Sequence, residues 1–271
     1  MLNNHIPAKK SLGQNFLKSK LALHKMLEAG EVNDTDVILE VGPGKGVLTE
    51  KLLEKAKKVI AVEKDYRLME LLQEKFVNEI TNGKLELINA DILDNRPFTK
   101  EEEKKFKIIA NIPYYITGQF LRKFLETDRQ PTKIVVMVQK EIAQRIVAND
   151  HKESLLSISV KAFGIPKMIM KVDKENFSPA PKVDSAILLI NNISKNFFTG
   201  NKILEKDFFA ILHAGFAHKR KMLLGNLKEW LKKEKMDTEG LQDIFAVIKL
   251  SEKIRAEDLP LEKWAELTRE L

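Results

Sequence analysis

The residues best suited to chemistry in this 271-residue chain begin at Ile38–Leu48, ILEVGPGKGVL. An apolar run reads there into Gly42, Gly44 and Gly46, and a helical pattern starts directly after them. Glycines at such a turn let the backbone reverse sharply and approach a ligand with no Cβ in the way. The spacing is GxGxG, which departs from the GxGxxG of dinucleotide folds and argues against NAD. Roughly 20 residues on, the place where an adenosine-binding fold carries its acidic group, Glu63 closes the next apolar run, VIAVE. A carboxylate there can accept from both ribose hydroxyls. The following run ends at Asp91, where a carboxylate can accept from an adenine amino group. Glycines alone also make tight turns, and Glu63 and Asp91 alone are also solvated strand ends. Three consecutive strand ends with fitting groups point to a nucleotide site.

The fourth apolar run leads into Asn111, Ile112, Pro113 and Tyr114 (KIIANIPYY). An adenine N6 is a weak nucleophile because its lone pair is delocalised into the ring. Two acceptors that take the amino hydrogens favour a tetrahedral nitrogen with its lone pair free for a methyl group. The Asn111 side-chain oxygen and a backbone carbonyl beside Pro113 can form that pair, with the proline fixing the turn. Tyr114 is placed to stack on an unstacked base. Catalysis of this kind rests on position and electrostatics. The nitrogen becomes acidic only after methylation, so water suffices to remove the proton. Asn and Pro also simply end strands; behind a cofactor loop, at a fourth strand end, the motif gains its meaning.

These groups need a frame. Val37–Val41, Val59–Val62, Leu85–Ile88, Ile108–Ala110 and Ile134–Val138 read as buried strands, and Ser185–Ile190 as a late one. Val47–Lys57, Tyr66–Ile80 and Gly118–Glu126 read as intervening helices. Lys20–Gly30 reads as an opening helix with a glycine cap. The alternation predicts an α/β fold with a parallel sheet and right-handed crossovers. From about Asn196 only helices are expected: Asp207–Phe216, Lys219–Lys233, Leu241–Ile248 and a short last segment holding Trp264. The predicted division is therefore residues 1–198 and 199–271, cut near NFFTGN at Asn196–Asn201.

Hydrophobic residues make up 44% of the chain, enough for a sizeable core, and the formal net charge is +7. A basic protein suits a polyanionic partner, because Lys and Arg release counterions from phosphates. There is no cysteine, which excludes disulfides, thiolate metal sites and cysteine nucleophiles. The five histidines are scattered, no pair has metal-ligand spacing beside a carboxylate, and no metal is expected. Neither GxSxG nor a P-loop occurs. No secretory leader or membrane span is visible, so a cytoplasmic protein is expected.

The motifs together resemble the KsgA/RsmA-type small-subunit rRNA adenine dimethyltransferases along nearly the whole chain. The likeness runs through KKSLGQNFL (Lys9–Leu17), LEVGPGKGVLT (Leu39–Thr49), VEKD (Val62–Asp65) and NADIL (Asn89–Leu93). It continues in ANIPYYIT (Ala110–Thr117), VQKEIAQRI (Val138–Ile146), FSPAPKVDSAIL (Phe177–Leu188) and FAHKRKMLLGNL (Phe216–Leu227). The resemblance implies a Rossmann-like S-adenosylmethionine-dependent methyltransferase sheet with an antiparallel last strand, followed by a small all-helical RNA-recognition domain. It implies that Asn15 and Leu17 line the cofactor pocket with Gly42 and Gly44. Gly42, Glu63, Asp91 and Asn111 would then meet the methionine part, ribose, adenine and reaction centre. Asn111, Pro113 and Tyr114 would hold the target base, with Phe177 on its other face.

The implied product is dimethyladenosine at two adjacent adenines in a hairpin loop near the 3′ end of small-subunit rRNA, made on a pre-ribosomal particle; a monomer is the default expectation. Lys9, Lys10, Lys219, Arg220 and Lys221 are the candidate RNA contacts, with Arg145 a further one or a helix cap. The family more often shows an RRK-like cluster where this chain has His218–Lys221. Three other functions share parts of the pattern. A large-subunit rRNA adenine dimethyltransferase would share the glycine loop but not this GQNFL and FSPAPKVDSA wording. A DNA adenine methyltransferase would carry DPPY or NPPY. A non-catalytic assembly factor would bind RNA without turnover.

Overall fold

The computed structural model describes residues 6–94, 105–235 and 237–271, and His5 lies outside them. The chain opens with a 3-10 turn at Lys10–Leu12, the two-residue strand β1 (Phe16–Leu17) and helix α1 (Lys20–Gly30). Ser19 caps α1 by accepting from the Ala22 N–H at 3.2 Å. Gly30 is not the cap expected from the sequence. The left-handed residue is Glu31, with φ 47°, and Gly30 is the last helical residue. A Cβ on Gly30 would lie 2.5 Å from Ile109 Cδ1, so packing against the sheet is what requires a glycine there.

The alternation then follows as read: β2 (Val37–Val41), α2 (Val47–Lys55), β3 (Lys58–Glu63), α3 (Tyr66–Lys75), α4 (Val77–Thr81), β4 (Leu85–Asn89) and β5 (Lys107–Ala110). After these come α5 (Thr117–Leu125), β6 (Lys133–Gln139), α6 (Lys140–Val147), α7 (Leu155–Lys161), β7 (Ile165–Val172), β8 (Phe177–Ser178) and β9 (Ser185–Asn191). Seven strands form one sheet in the order β4-β3-β2-β5-β6-β9-β7. Pairs β2–β3, β3–β4, β2–β5 and β5–β6 are parallel. Strand β9 enters antiparallel between β6 and β7, so the antiparallel last strand is present. The carboxyl ends of β2, β3, β4 and β5 thus meet at one edge, the usual ligand edge of open α/β sheets.

Strand β7, IPKMIMKV, was not read from the sequence. It is one of the sheet's two edge strands, half-exposed, with a register shift between Met168 and Met170. Its Pro166, Lys167 and Lys171 blunt the free edge and break up the apolar run that marks buried strands.

Two compact units result: one runs to Ala143 and resumes at Ile165–Ile193, and the other joins Gln144–Gly164 to Ser194–Leu271. A single cut at 198/199 is therefore replaced by an interleaved division. The physical reason is an aromatic cluster. NFFTGN is itself helix α8 (Asn196–Asn201), and buried Phe198 packs against Phe163, Phe197, Phe208 and Phe209. Phe163 follows α7, which brings that segment into the second unit. The rest of this unit is helical: α9 (Glu205–Gly215), α10 (Leu223–Lys233), α11 (Leu241–Val247) and α12 (Leu261–Glu270). Its Trp264 is fully buried, stacks on Phe216 and donates its ring N–H to Leu259 O at 3.2 Å.

Candidate active site

The strand ends surround one cavity of about 290 Å³, entirely within the first unit. Asn15, Leu17, Gly42, Gly44, Glu63, Asp91 and Asn111 all line it, with Pro113 at the fourth strand end. Gly42, Gly44 and Gly46 all have positive φ, as the turn requires. At Gly44 the demand is also steric, since a Cβ would stand 3.0 Å from the Phe16 ring that closes over the loop. The Lys45 ammonium lies 5.1 Å from that ring's centroid, on the same wall.

Glu63 is buried and tied on both oxygens: Oε2 accepts from the Gly44 N–H at 3.2 Å and Oε1 from the Asp65 N–H at 2.8 Å. Burial pushes its carboxyl above the usual range, with backbone donors pulling the other way. Asp91 accepts from the Leu93 N–H at 2.9 Å and from Lys64 Nζ at 2.6 Å, and the lysine holds its carboxyl low. Asn111 gives its Nδ2 hydrogen to the Asn15 carbonyl at 3.0 Å, which turns the side-chain oxygen away from that carbonyl.

Two expected residues are placed elsewhere. Tyr114 does not line the cavity: its hydroxyl is 2.5 Å from Ser185 Oγ, and burial pushes its ionisation upward. Phe177 is 2% exposed and belongs to the apolar core beside Leu17, its partner in the β1–β8 pair. The ring that borders the cavity is Tyr115, 63% exposed, lying 3.3 Å from where a Cβ of Gly13 would be. The candidate RNA residues Lys9, Lys10, Lys219, Arg220, Lys221 and Arg145 are all exposed. Lys221 pairs with Glu229 at 2.9 Å. Lys219 and Arg220 make no ion pair among the described residues.

Sequence reasoning missed Glu40. It lines the cavity, is 1% exposed, and its Oε2 has no hydrogen-bond partner. Burial pushes its carboxyl up to about 8, with Thr49 pulling the other way and Glu63 adding to the rise. The signal was an acid inside an otherwise apolar strand, VILEV, where a charge is costly without a reason. Gln14 and Lys64, also on the wall, sat inside motifs that were read for other residues.

Among the described residues no three His, Asp or Glu side chains are grouped to hold a metal ion. The cavity does fit S-adenosylmethionine. The carboxyl oxygens of Glu63 and Asp91 suit a ligand that carries hydroxyl and amino donors. The opening of α2, capped by Gly46 beside the glycine loop with no side chain over it, is a helix N-terminus of the kind that suits a carboxylate.

A model of the ribosomal RNA adenine dimethylase family matches residues 6–271. The chain belongs to that family. It is an rRNA adenine dimethyltransferase, and methyltransferases of this family take the methyl group from S-adenosylmethionine. A relative from Dehalococcoides mccartyi, Ribosomal RNA small subunit methyltransferase A, is 41% identical over 98% of this chain and 89% of its own. A relative of the same name from Mycoplasmopsis pulmonis is 38% identical over 97% and 99%. Among solved structures, a dimethyladenosine transferase from Plasmodium falciparum superposes with a TM-score of 0.79 at 29% identity, covering 94% of this chain and 96% of that one. The 23S rRNA methyltransferase ErmE, with a TM-score of 0.73 at 24% identity over 94% and 98%, shares the fold.

Proposed function

We propose that this dimethyltransferase acts on small-subunit rRNA, placing two methyl groups on N6 of each of two adjacent adenines in a hairpin loop near its 3′ end. The curated relatives bearing the small-subunit name support the choice of subunit, together with the GQNFL and FSPAPKVDSA wording. The substrate is an RNA in a pre-ribosomal particle, met by a monomer in the cytoplasm. Among the described residues no helix is long and apolar enough to cross a membrane.

The observation that carries the mechanism is the Asn111 amide, held by Asn15 at the rim of an acid-lined cavity. Bound in that cavity, S-adenosylmethionine supplies an electrophilic methyl group. Glu63 accepts from the ribose hydroxyls, Asp91 from the adenine amino group, and Gly42 and Gly44 leave room for the methionine part. Asn15 and Leu17 wall it in. Asn111 Oδ1 accepts one hydrogen of the target N6. The Pro113 carbonyl is engaged by the Ile116 N–H at 3.2 Å, so the Ile112 carbonyl is the second acceptor. With both amino hydrogens held, the nitrogen lone pair would be left free to take the methyl group. After transfer, which would leave S-adenosylhomocysteine, the cationic nitrogen gives its proton to water; the monomethylated nitrogen keeps one hydrogen, which one of the two acceptors holds in a second round.

Tyr114 stacks on the base after its ring swings from Ser185, while Phe177, buried beside Leu17, backs the β1–β8 pair from the core and does not reach the base's other face. Tyr115 offers an aromatic surface at the cavity without either movement. Lys9 and Lys10 meet the RNA backbone from the first unit, and Lys219, Arg220 and Lys221 from the second, whose helices serve RNA recognition.

The test incubates labelled S-adenosylmethionine with undermethylated small subunits, free large subunits and duplex DNA, followed by nucleoside mass spectrometry. Dimethyladenosine in small-subunit RNA alone is the expected result. Label in large-subunit RNA or DNA would overturn the substrate, and RNA binding with no label anywhere would leave an assembly factor.

A further inference from the structure

The N-terminal strap, Lys9–Lys18, forms one wall of the cavity and is fastened on both sides of Asn15. Downstream, β1 pairs with β8, and the Lys18 N–H donates to Asn176 O at 2.8 Å. Upstream, among the described residues, Gln14 makes the side-chain hydrogen bond that ties the strap to the sheet side. Gln14 Oε1 accepts from the Lys9 N–H at 2.7 Å, and Gln14 Nε2 donates to Asp65 Oδ2 at 2.9 Å. Asp65 is itself rigidly held. It is 3% exposed, its two oxygens receive the Arg67 guanidinium at 3.0 and 2.6 Å, and its N–H donates to Glu63. Arg67 beside it holds its carboxyl down at about 2, so Asp65 stays an acceptor.

Between the two fastenings lies the Asn15 carbonyl that receives Asn111 Nδ2. An asparagine amide has two nearly equivalent orientations about its last torsion. In the observed one the oxygen is free to accept. Flipped, the amide would set its oxygen against the Asn15 carbonyl, acceptor against acceptor, and would present N–H donors to an amino group. The Asn15 carbonyl therefore selects the productive orientation, provided that the strap keeps it in place.

The structure assigns Gln14 the role of a positioning residue: by anchoring the strap to Asp65 it fixes the Asn15 carbonyl, and through it the orientation of the Asn111 amide. This rests on Asn111 receiving the target amino group, as proposed above. Gln14 itself touches neither the target base nor the reacting atoms.

The experiment measures single-turnover rates at saturating S-adenosylmethionine on undermethylated small subunits, with cofactor affinity by calorimetry and melting temperature for each variant. Gln14→Glu sets two carboxylates against each other and should slow methyl transfer about tenfold, the worth of one well-placed hydrogen bond. Cofactor affinity should change by less than the rate does. Gln14→Ala should show the same sign with less disturbance to folding. Gln14→Lys keeps a donor for Asp65 Oδ2, leaves the Asp65–Arg67 pair intact and gives up only the acceptor for the Lys9 N–H, and should recover most of the rate. A wild-type rate in Gln14→Ala and Gln14→Glu would overturn the inference, as would a loss confined to cofactor affinity or a Gln14→Lys rate as low as that of Gln14→Ala. Asn111→Ala run alongside separates the two readings. If it is inactive while the Gln14 variants are normal, only the positioning role fails. If it is fully active, the amino-acceptor role of Asn111 fails first.

Discussion

The carbonyl of Asn15 and the side-chain nitrogen of Asn111, 96 residues apart in sequence, are joined by a 3.0 Å hydrogen bond across the cavity rim. The bond makes the orientation of Asn111 a property of the folded N-terminal strap. Replacing Asn111 by Ala removes an acceptor aimed at the reacting nitrogen and is expected to lower the methyl-transfer rate at least about 100-fold, the scale for losing one preorganised group. Cofactor affinity, read by calorimetry, should hold within a few-fold. Asn111→Asp is expected to fail as well, because it meets the Asn15 carbonyl with an acceptor.

Glu63 joins the glycine loop to the end of β3 through the Gly44 and Asp65 N–H groups. Glu63→Ala should weaken S-adenosylmethionine binding by roughly 1.5–3 kcal/mol, as for hydrogen bonds to a charged partner. Unchanged affinity in calorimetry would remove the ribose assignment.

Glu40 makes cofactor-free stability depend on pH. Its folded carboxyl stands at about 8 against 4.5 in a free chain. The folded state therefore binds the extra proton, and stability is fully present below the free value and lost as pH rises through the folded one. Glu63, also raised, acts in the same direction. Denaturant titrations of the cofactor-free protein should show stability falling from 4.5 towards about 8, and Glu40→Gln should flatten that fall. A wild-type slope in the variant would show that Glu40 is not its source.

The basic turn should not act as a uniform patch. Lys221, His218 and Lys233 all surround Glu229, whose carboxyl Lys221 helps hold at about 2. Lys219 and Arg220 carry the freer charge. Replacing both by Ala should reduce the log–log salt slope of RNA binding by about 2, close to one unit for each phosphate no longer neutralised. Lys221→Ala should change it less, because Glu229 already offsets that charge. Equal slopes for the double variant and the wild type would move the RNA surface elsewhere.

Asn226 sets the geometry behind that turn. It is 2% exposed, and its Nδ2 donates to Gly215 O at 2.6 Å and His218 O at 3.2 Å. Asn226→Leu strips the Gly215 carbonyl of this partner, while His218 O keeps the Lys221 N–H at 3.0 Å, and should cost about 1–3 kcal/mol in denaturant unfolding. A change below that range would mean that water satisfies the Gly215 carbonyl.

Much of the site was legible in one dimension because a parallel sheet brings successive strand ends to a common edge. Gly42, Glu63, Asp91 and Asn111 could be read in order, each from its own run of apolar residues. The half-exposed strand β7 could not, since Lys167 and Lys171 interrupt the apolar signal. Nor could the interleaved units, because Phe163 and Phe198 meet only when the chain returns to the same cluster.

Residue type and local spacing by themselves determined the class of fold, the cavity's glycine loop, its acidic groups and the family that these motifs resemble. Only the tertiary structure decided which way each group faces. Tyr114 turns to Ser185, Phe177 enters the core, Tyr115 borders the cavity, and Glu40 loses its solvent beneath the loop. The physical reason is that a motif specifies which donors, acceptors and rings are present. Their rotamers, burial and ionisation are set by neighbours that are distant in sequence, as Asn15 is from Asn111 and Gln14 from Asp65.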